Sequence, residues 1–285
     1  FARLAAELRD ARSRTLALVS DLNDEQLLGP RLSIVNPPRW EIGHVAWFQE
    51  RWTLRHLGQL APFRADGDAL YDSAHVHHDT RWTIPLPSRE ETFATMRTIL
   101  DRALERLERA NSSDAEEYFH RLVLYHEDMH GEALVYTRQT LGYPAPRTWP
   151  AASSGGGPLE GDVEIPGGKL RLGAERAAGF VFDNEKWAHA VDVQPFRIAR
   201  APVTQAAFAA FVEGGGYRRD DLWSPEGLRW RIGIGAEQPV HWRRGVGGRW
   251  LRLHYDRPVP LEEHRPMLHV NWYEASAFCH WAGRR

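Results

Sequence analysis

A chain of 285 residues, 42% hydrophobic and 26% charged, has ordinary soluble-globular composition and is long enough for two hydrophobic cores. Its 36 basic and 38 acidic residues leave a formal charge of -2, with no basic block, which excludes bulk electrostatic capture of nucleic acid or an anionic membrane. One cysteine, Cys279, excludes an internal disulfide framework and fits a reducing compartment. No apolar run reaches membrane-spanning length and no secretory leader pattern opens the sequence, so a cytoplasmic location is expected.

In chain order, Leu4, Leu8, Ala11, Thr15, Leu18 and Leu22 recur every three or four residues, which predicts a first helix over residues 1 to about 22. A second is expected from Pro38 to Leu57, opened by Asn36-Pro37-Pro38 and carrying Trp40, His44, Trp47 and Arg51 on one stripe. The link from Gly58 to Pro87 is too polar for a core helix yet dense in Tyr71, Asp72, His75, His77, His78, Asp79, Arg81 and Trp82. Loops of that length are often functional, and a surface excursion with solvated histidines is the equal alternative.

Ser88-x-x-Glu91 is a capping box for a third helix through Phe93, Met96, Leu100, Leu104 and Leu107. Ser113-x-x-Glu116 opens a fourth, which Gly142 and Pro144 stop. Four helices of bundle length result. The stretch Ala151-Ala152-Ser153-Ser154-Gly155-Gly156-Gly157-Pro158 then breaks structure, so domains are expected over 1-150 and 151-285. Beyond it, strands at Lys169 to Leu172 and Phe196 to Ile198 and helices at Thr204 to Val212 and Glu274 to Trp281 predict a loop-rich α+β domain. The 12 tryptophans and 14 histidines are many; those beside arginine, as in Arg229-Trp230-Arg231 and His241-Trp242-Arg243-Arg244, offer aromatic surface to a cationic ligand, while most tryptophans are expected to fill the core of a loop-rich domain.

The chemistry is concentrated in His126-Glu127-Asp128-Met129-His130. Histidines four apart on a helix stand one turn above each other and can reach one metal ion. His44 lies on the buried-looking stripe of helix two, so three imidazoles can converge between bundle helices and leave coordination positions open. Glu132 is then expected to orient an imidazole or to pair at the surface. The same pentapeptide also permits a zinc hydrolase with Glu127 as general base. The metzincin continuation is absent, since positions 133 and 136 are Ala133 and Tyr136. A third possibility is a non-catalytic bundle in which a metal is structural.

The run Asn36 to Glu50, with His126-Glu127-x-x-His130-x-Glu132, resembles the amino-terminal DinB-like bundle of the ergothioneine-type sulfoxide synthases. Ile165-Pro166-Gly167-Gly168, Phe196 to Thr204 and Val270-Asn271-Trp272 through Gly283 are similar to the formylglycine-generating-enzyme-like, C-type-lectin-like domain that follows it. The resemblance implies that His44, His126 and His130 ligate a mononuclear non-haem iron(II). It also implies that O2 is a co-substrate and that sulfur or selenium is joined to the imidazole C2 of hercynine. The donor would be a thiol, cysteine or γ-glutamylcysteine, or a selenosugar as in the related selenoneine synthases.

Arg81 is the candidate for a substrate carboxylate, and Trp47 for aromatic contact with a cationic substrate. Met129 is the third substrate-binding candidate, at the position where family members making ergothioneine often carry glutamine. Formylglycine generation itself needs a cysteine pair, which Cys279 alone cannot supply. The family's catalytic tyrosine matches no tyrosine of the chain and is expected beyond Arg285, the second domain continuing past that point. The sequence sets no oligomeric state.

Overall fold

The structure is a computed structural model that describes residues 1–111, 113–147, 156–157, 159–176 and 179–285. The expected breaker Ala151 to Pro158 lies outside the described residues except for Gly156 and Gly157. The chain forms two compact units. The first comprises residues 1–149 and 173–188, the second residues 150–172 and 189–285.

The first unit is a helical bundle of α1 (Ala2–Val19), α3 (Pro38–Gln49), α5 (Arg89–Arg109) and α6 (Asp114–Thr140), with a short α2 (Asp24–Leu28) after α1. The stripe predicted for α1 is buried at Leu4, Leu8, Ala11, Thr15 and Leu18, and Arg12 is buried on the same face. Helix α3 opens with Pro38 at its first turn and runs into a π-helical segment, Glu50–His56, that completes the expected second helix. The Ser88 and Glu91 capping box is formed in both directions. At α6 the Ser113 hydroxyl caps the backbone of Glu116, whose own carboxylate goes instead to Arg106. Gly142 takes φ +64, the left-handed stop that glycine adopts without strain.

Two apolar clusters fill this unit. One centres on Leu18, Leu22, Ile42, Met96, Ile99 and Leu134, the other on Leu8, Leu100, Leu104, Val123 and Leu124. Each such leucine, fully buried, contributes about 1.5 to 3 kcal/mol. The link expected to be irregular contains a short helix, α4 (Gly67–Tyr71), whose Leu70 and Tyr71 pack with Trp40 and Trp47 in a third cluster, and a single 3-10 turn at His78–Thr80.

The second unit is α+β. Strands β1 (Asp162–Ile165) and β4 (Phe196–Ala199) pair antiparallel, as do β2 (Gly168–Leu172) and β3 (His189–Val193). Strands β5 (Trp242–Arg244), β6 (Trp250–His254) and β7 (Arg257–Pro260) form an antiparallel meander. Its core joins α7 (Gln205–Glu213), α8 (Pro225–Ile234) and α9 (Trp272–Trp281) through Phe208, Phe211, Tyr217, Trp223, Trp242 and Phe278. The expected strands and helices are present within a few residues, and α8 is additional. The loop joining β2 to β3 belongs to the first unit, where Phe180 packs on Tyr118 and Tyr125 of α6. A linear division of the chain misses that return. Among the described residues no helix is long and apolar enough to cross a membrane.

Candidate metal centre

Helix α3 supplies one imidazole and α6 supplies two. On α3, Trp40, His44 and Trp47 follow at spacings of four and three, so they share a face, and all three are buried. On α6, His126 and His130 stack at one-turn spacing, with ring centroids 4.5 Å apart. The His44 ring lies 5.0 Å from each of them, and one nitrogen from each ring lies within 4.8 Å of the others. The Nε2 atoms of His44 and His126 are 3.2 Å apart.

Each ring is held differently. His44 donates its Nδ1–H to the carbonyl of Tyr71 at 2.8 Å, which leaves Nε2 with its lone pair. The same ring lies nearly parallel to Trp40, 4.9 Å away, and stacks on Trp47 at 5.6 Å. His130 donates Nδ1–H to Glu41 Oε1 at 2.7 Å and likewise keeps Nε2 free. His126 stacks on Phe48 with centroids 3.6 Å apart, and its Nδ1 is buried with no hydrogen-bond partner among the described residues.

These positions fit a divalent metal. A carbonyl oxygen cannot donate, so the bond to Tyr71 directs an unprotonated Nε2 of His44 at another imidazole nitrogen 3.2 Å away. Two nitrogens about 2.1 Å from one ion, at the angles of ordinary coordination, stand about 3.0 to 3.4 Å apart. Burial, then the neighbouring His130, pushes His44 down to about 4. Burial, then the neighbouring His130 and His44, pushes His126 well below its ordinary value. Both rings are therefore neutral at physiological pH, as a ligand must be.

The other expected site residues have different partners. Glu127 follows His126 directly but turns away, and both its oxygens are bonded to Arg12 of α1, at 2.7 and 3.1 Å, in a pair 1% and 2% exposed. Gln49 accepts a further bond from that guanidinium at 2.9 Å. A carboxylate so neutralised and enclosed is unsuited to general-base work on a metal-bound water, which removes the support for a hydrolase. Glu132 is exposed, and orientation of an imidazole by a carboxylate falls to Glu41.

Arg81 lies 3.9 Å above the Trp40 ring, bonded to Asn36 Oδ1 at 2.7 Å and the Val76 carbonyl at 3.2 Å, so its own chain already engages much of the guanidinium. Trp47 is 8% exposed and gives its indole N–H to Asp68 at 2.7 Å, which makes it a packing partner of His44 rather than an open aromatic surface. Met129, between the two histidines of α6, is 49% exposed. Sequence reasoning passed over Glu41, Phe48 and the Tyr71 carbonyl. Glu41 had one local signal, an acid one turn before His44 on the same helix.

Comparison with known proteins matches the helical and mixed regions separately. A DinB superfamily model matches residues 7–136, and a sulfatase-modifying factor enzyme 1-like domain model matches residues 150–285. A protein of Mycolicibacterium smegmatis named hercynine oxygenase is 33% identical over 99% of this chain and 66% of its own length. Its namesake in Mycolicibacterium thermoresistibile is 35% identical over 100% of this chain and 64% of its own length. That of Mycobacterium tuberculosis is 32% identical, over 99% and 67%. The chain thus spans about two thirds of the length of these curated relatives.

Proposed function

The chain belongs to the hercynine oxygenase family, in which a DinB-type bundle precedes a sulfatase-modifying-factor-like domain, and on that footing we propose that it is an iron(II)- and O2-dependent synthase acting on hercynine. It joins sulfur or selenium from a small-molecule donor, a thiol such as cysteine or γ-glutamylcysteine or else a selenosugar, to the imidazole C2, in a reducing cytoplasm. The observation that carries the reading is the convergence of His44, His126 and His130 from two helices, two of them held in the tautomer that frees Nε2.

His44, His126 and His130 would hold the iron(II), which would supply activation of O2. The protein's share is to hold three imidazoles in fixed orientation. Tyr71 and Glu41 anchor two of them from their outer sides, and Phe48, Trp40 and Trp47 cover the rings with aromatic surface that excludes water. Three protein ligands leave positions for reactants, the mark of a catalytic rather than a structural site.

The test is oxygen uptake by the iron-loaded full polypeptide with hercynine and a panel of thiol and selenol donors, with the product identified by mass. The reading expects uptake that requires hercynine and a donor together and vanishes in His44→Ala. Hydrolytic activity that depends on zinc and disappears in Glu127→Gln would contradict it.

A further inference from the structure

Glu41 is a carboxylate 1% exposed inside a helical bundle. Such a group is costly to bury unless strongly bonded. Its Oε1 accepts the Nδ1–H of His130 at 2.7 Å, while its Oε2 is buried with no hydrogen-bond partner among the described residues. Among the described residues, its ion-pair contact is with that imidazole. A glutamine would fill the same volume without burying a charge, so packing alone does not account for the acid. What an anion adds is a strong acceptor, which fixes the Nδ1–H tautomer and pushes electron density through the ring toward Nε2.

The three imidazoles are unequal in this respect. His44 donates to a neutral carbonyl, His126 has no acceptor at Nδ1 among the described residues, and His130 donates to a carboxylate. We propose, on the metal-centre reading above, that Glu41 is a positioning residue that makes His130 the strongest donor of the three and lends the centre a negative charge. Affinity for a divalent metal is thereby raised, and the potential at which bound iron is oxidised is lowered.

Glu41→Gln keeps the shape but removes the charge, and Glu41→Asp keeps the charge on a shorter arm. Anaerobic titration of the full chain with Co(II) and Fe(II), followed by potentiometry of the iron form, reads both consequences. Glu41→Gln should bind about 10- to 100-fold more weakly and shift the iron potential upward, with Glu41→Asp recovering part of each. Imidazole 15N NMR of the metal-free protein should show His130 as the Nδ1–H tautomer in wild type and a tautomer mixture in Glu41→Gln. Should that variant not fold, Glu41→Asp reads the contact itself: its shorter arm should loosen the bond to His130 and weaken metal binding, and wild-type affinity and potential in Glu41→Asp would then overturn the role of Glu41. Wild-type metal binding with an unchanged affinity and potential in Glu41→Gln overturns the role of Glu41 alone. Absence of metal binding by wild type overturns the metal centre itself, and the role of Glu41 with it.

Discussion

Arg12 and Glu127 form a two-bonded ion pair in the interior of the bundle, joining α1 to the helix that carries His126 and His130. Removing one partner of such a pair strands the other charge in a medium that cannot solvate it. Glu127→Gln should therefore lower stability by about 3 to 5 kcal/mol, while Arg12→Met with Glu127→Leu should cost far less. Urea unfolding measures the difference. Because Glu127 faces Arg12 and not the imidazoles, metal content in Glu127→Gln should stay near one per chain wherever the variant is folded.

Gly43 precedes His44, and a methyl group placed there would stand 2.4 Å from Cε1 of the Tyr71 ring. Tyr71 is 5% exposed and its carbonyl anchors His44, so the ring cannot yield without moving the anchor. Gly43→Ala is expected to cost about 1 to 3 kcal/mol, as overpacking does. It should also weaken metal binding, whereas Gly131→Ala, whose added methyl would meet only Leu18 at 3.8 Å, should leave metal binding unchanged. Paired melting and metal-competition experiments on the two variants separate the effects.

Acid should weaken the metal-free protein. The folded protein holds His44 down to about 4, against 6.5 for the exposed group, and His126 is lowered too. Between those values the unfolded chain binds protons that the folded chain refuses. Stability therefore rises with pH across this window, is fully present above about 6.5, and is lost as pH falls toward about 4. For His44 the full effect is of the order of 3 kcal/mol. Denaturant midpoints at a series of pH values should show this slope, and His44→Ala should flatten it. Metal release should follow the same direction, since protons compete for the same nitrogens.

What the sequence revealed follows from the range of the interactions concerned. The pairing of His126 with His130 is a local matter of helical pitch, and His44 is legible because Trp40 and Trp47 mark its stripe as the buried one. The contacts of Glu41 with His130 and of Tyr71 with His44 span 89 and 27 residues. The second uses a backbone carbonyl, which no residue identity announces. Arg12 occupies the position four after Leu8 on an apolar stripe, where its burial depends on a partner 115 residues away.

Local signals were also overlooked. Ser224 caps α8 and Pro225 sits in its first turn, a start that could have been read from the sequence. The return of residues 173–188 to the helical unit depends on aromatic packing against Tyr118 and Tyr125, which only the folded chain displays.

The central claim is that one nitrogen from α3 and two from α6 share a metal ion. Its most direct test is metal analysis of anaerobically iron-loaded protein after exhaustive desalting, comparing wild type with His44→Ala and with His120→Ala, a buried histidine of α6 outside the cluster. Close to one iron per chain is expected in wild type and His120→Ala, and loss of most of it in His44→Ala. Equal iron content in His44→Ala and wild type would contradict it.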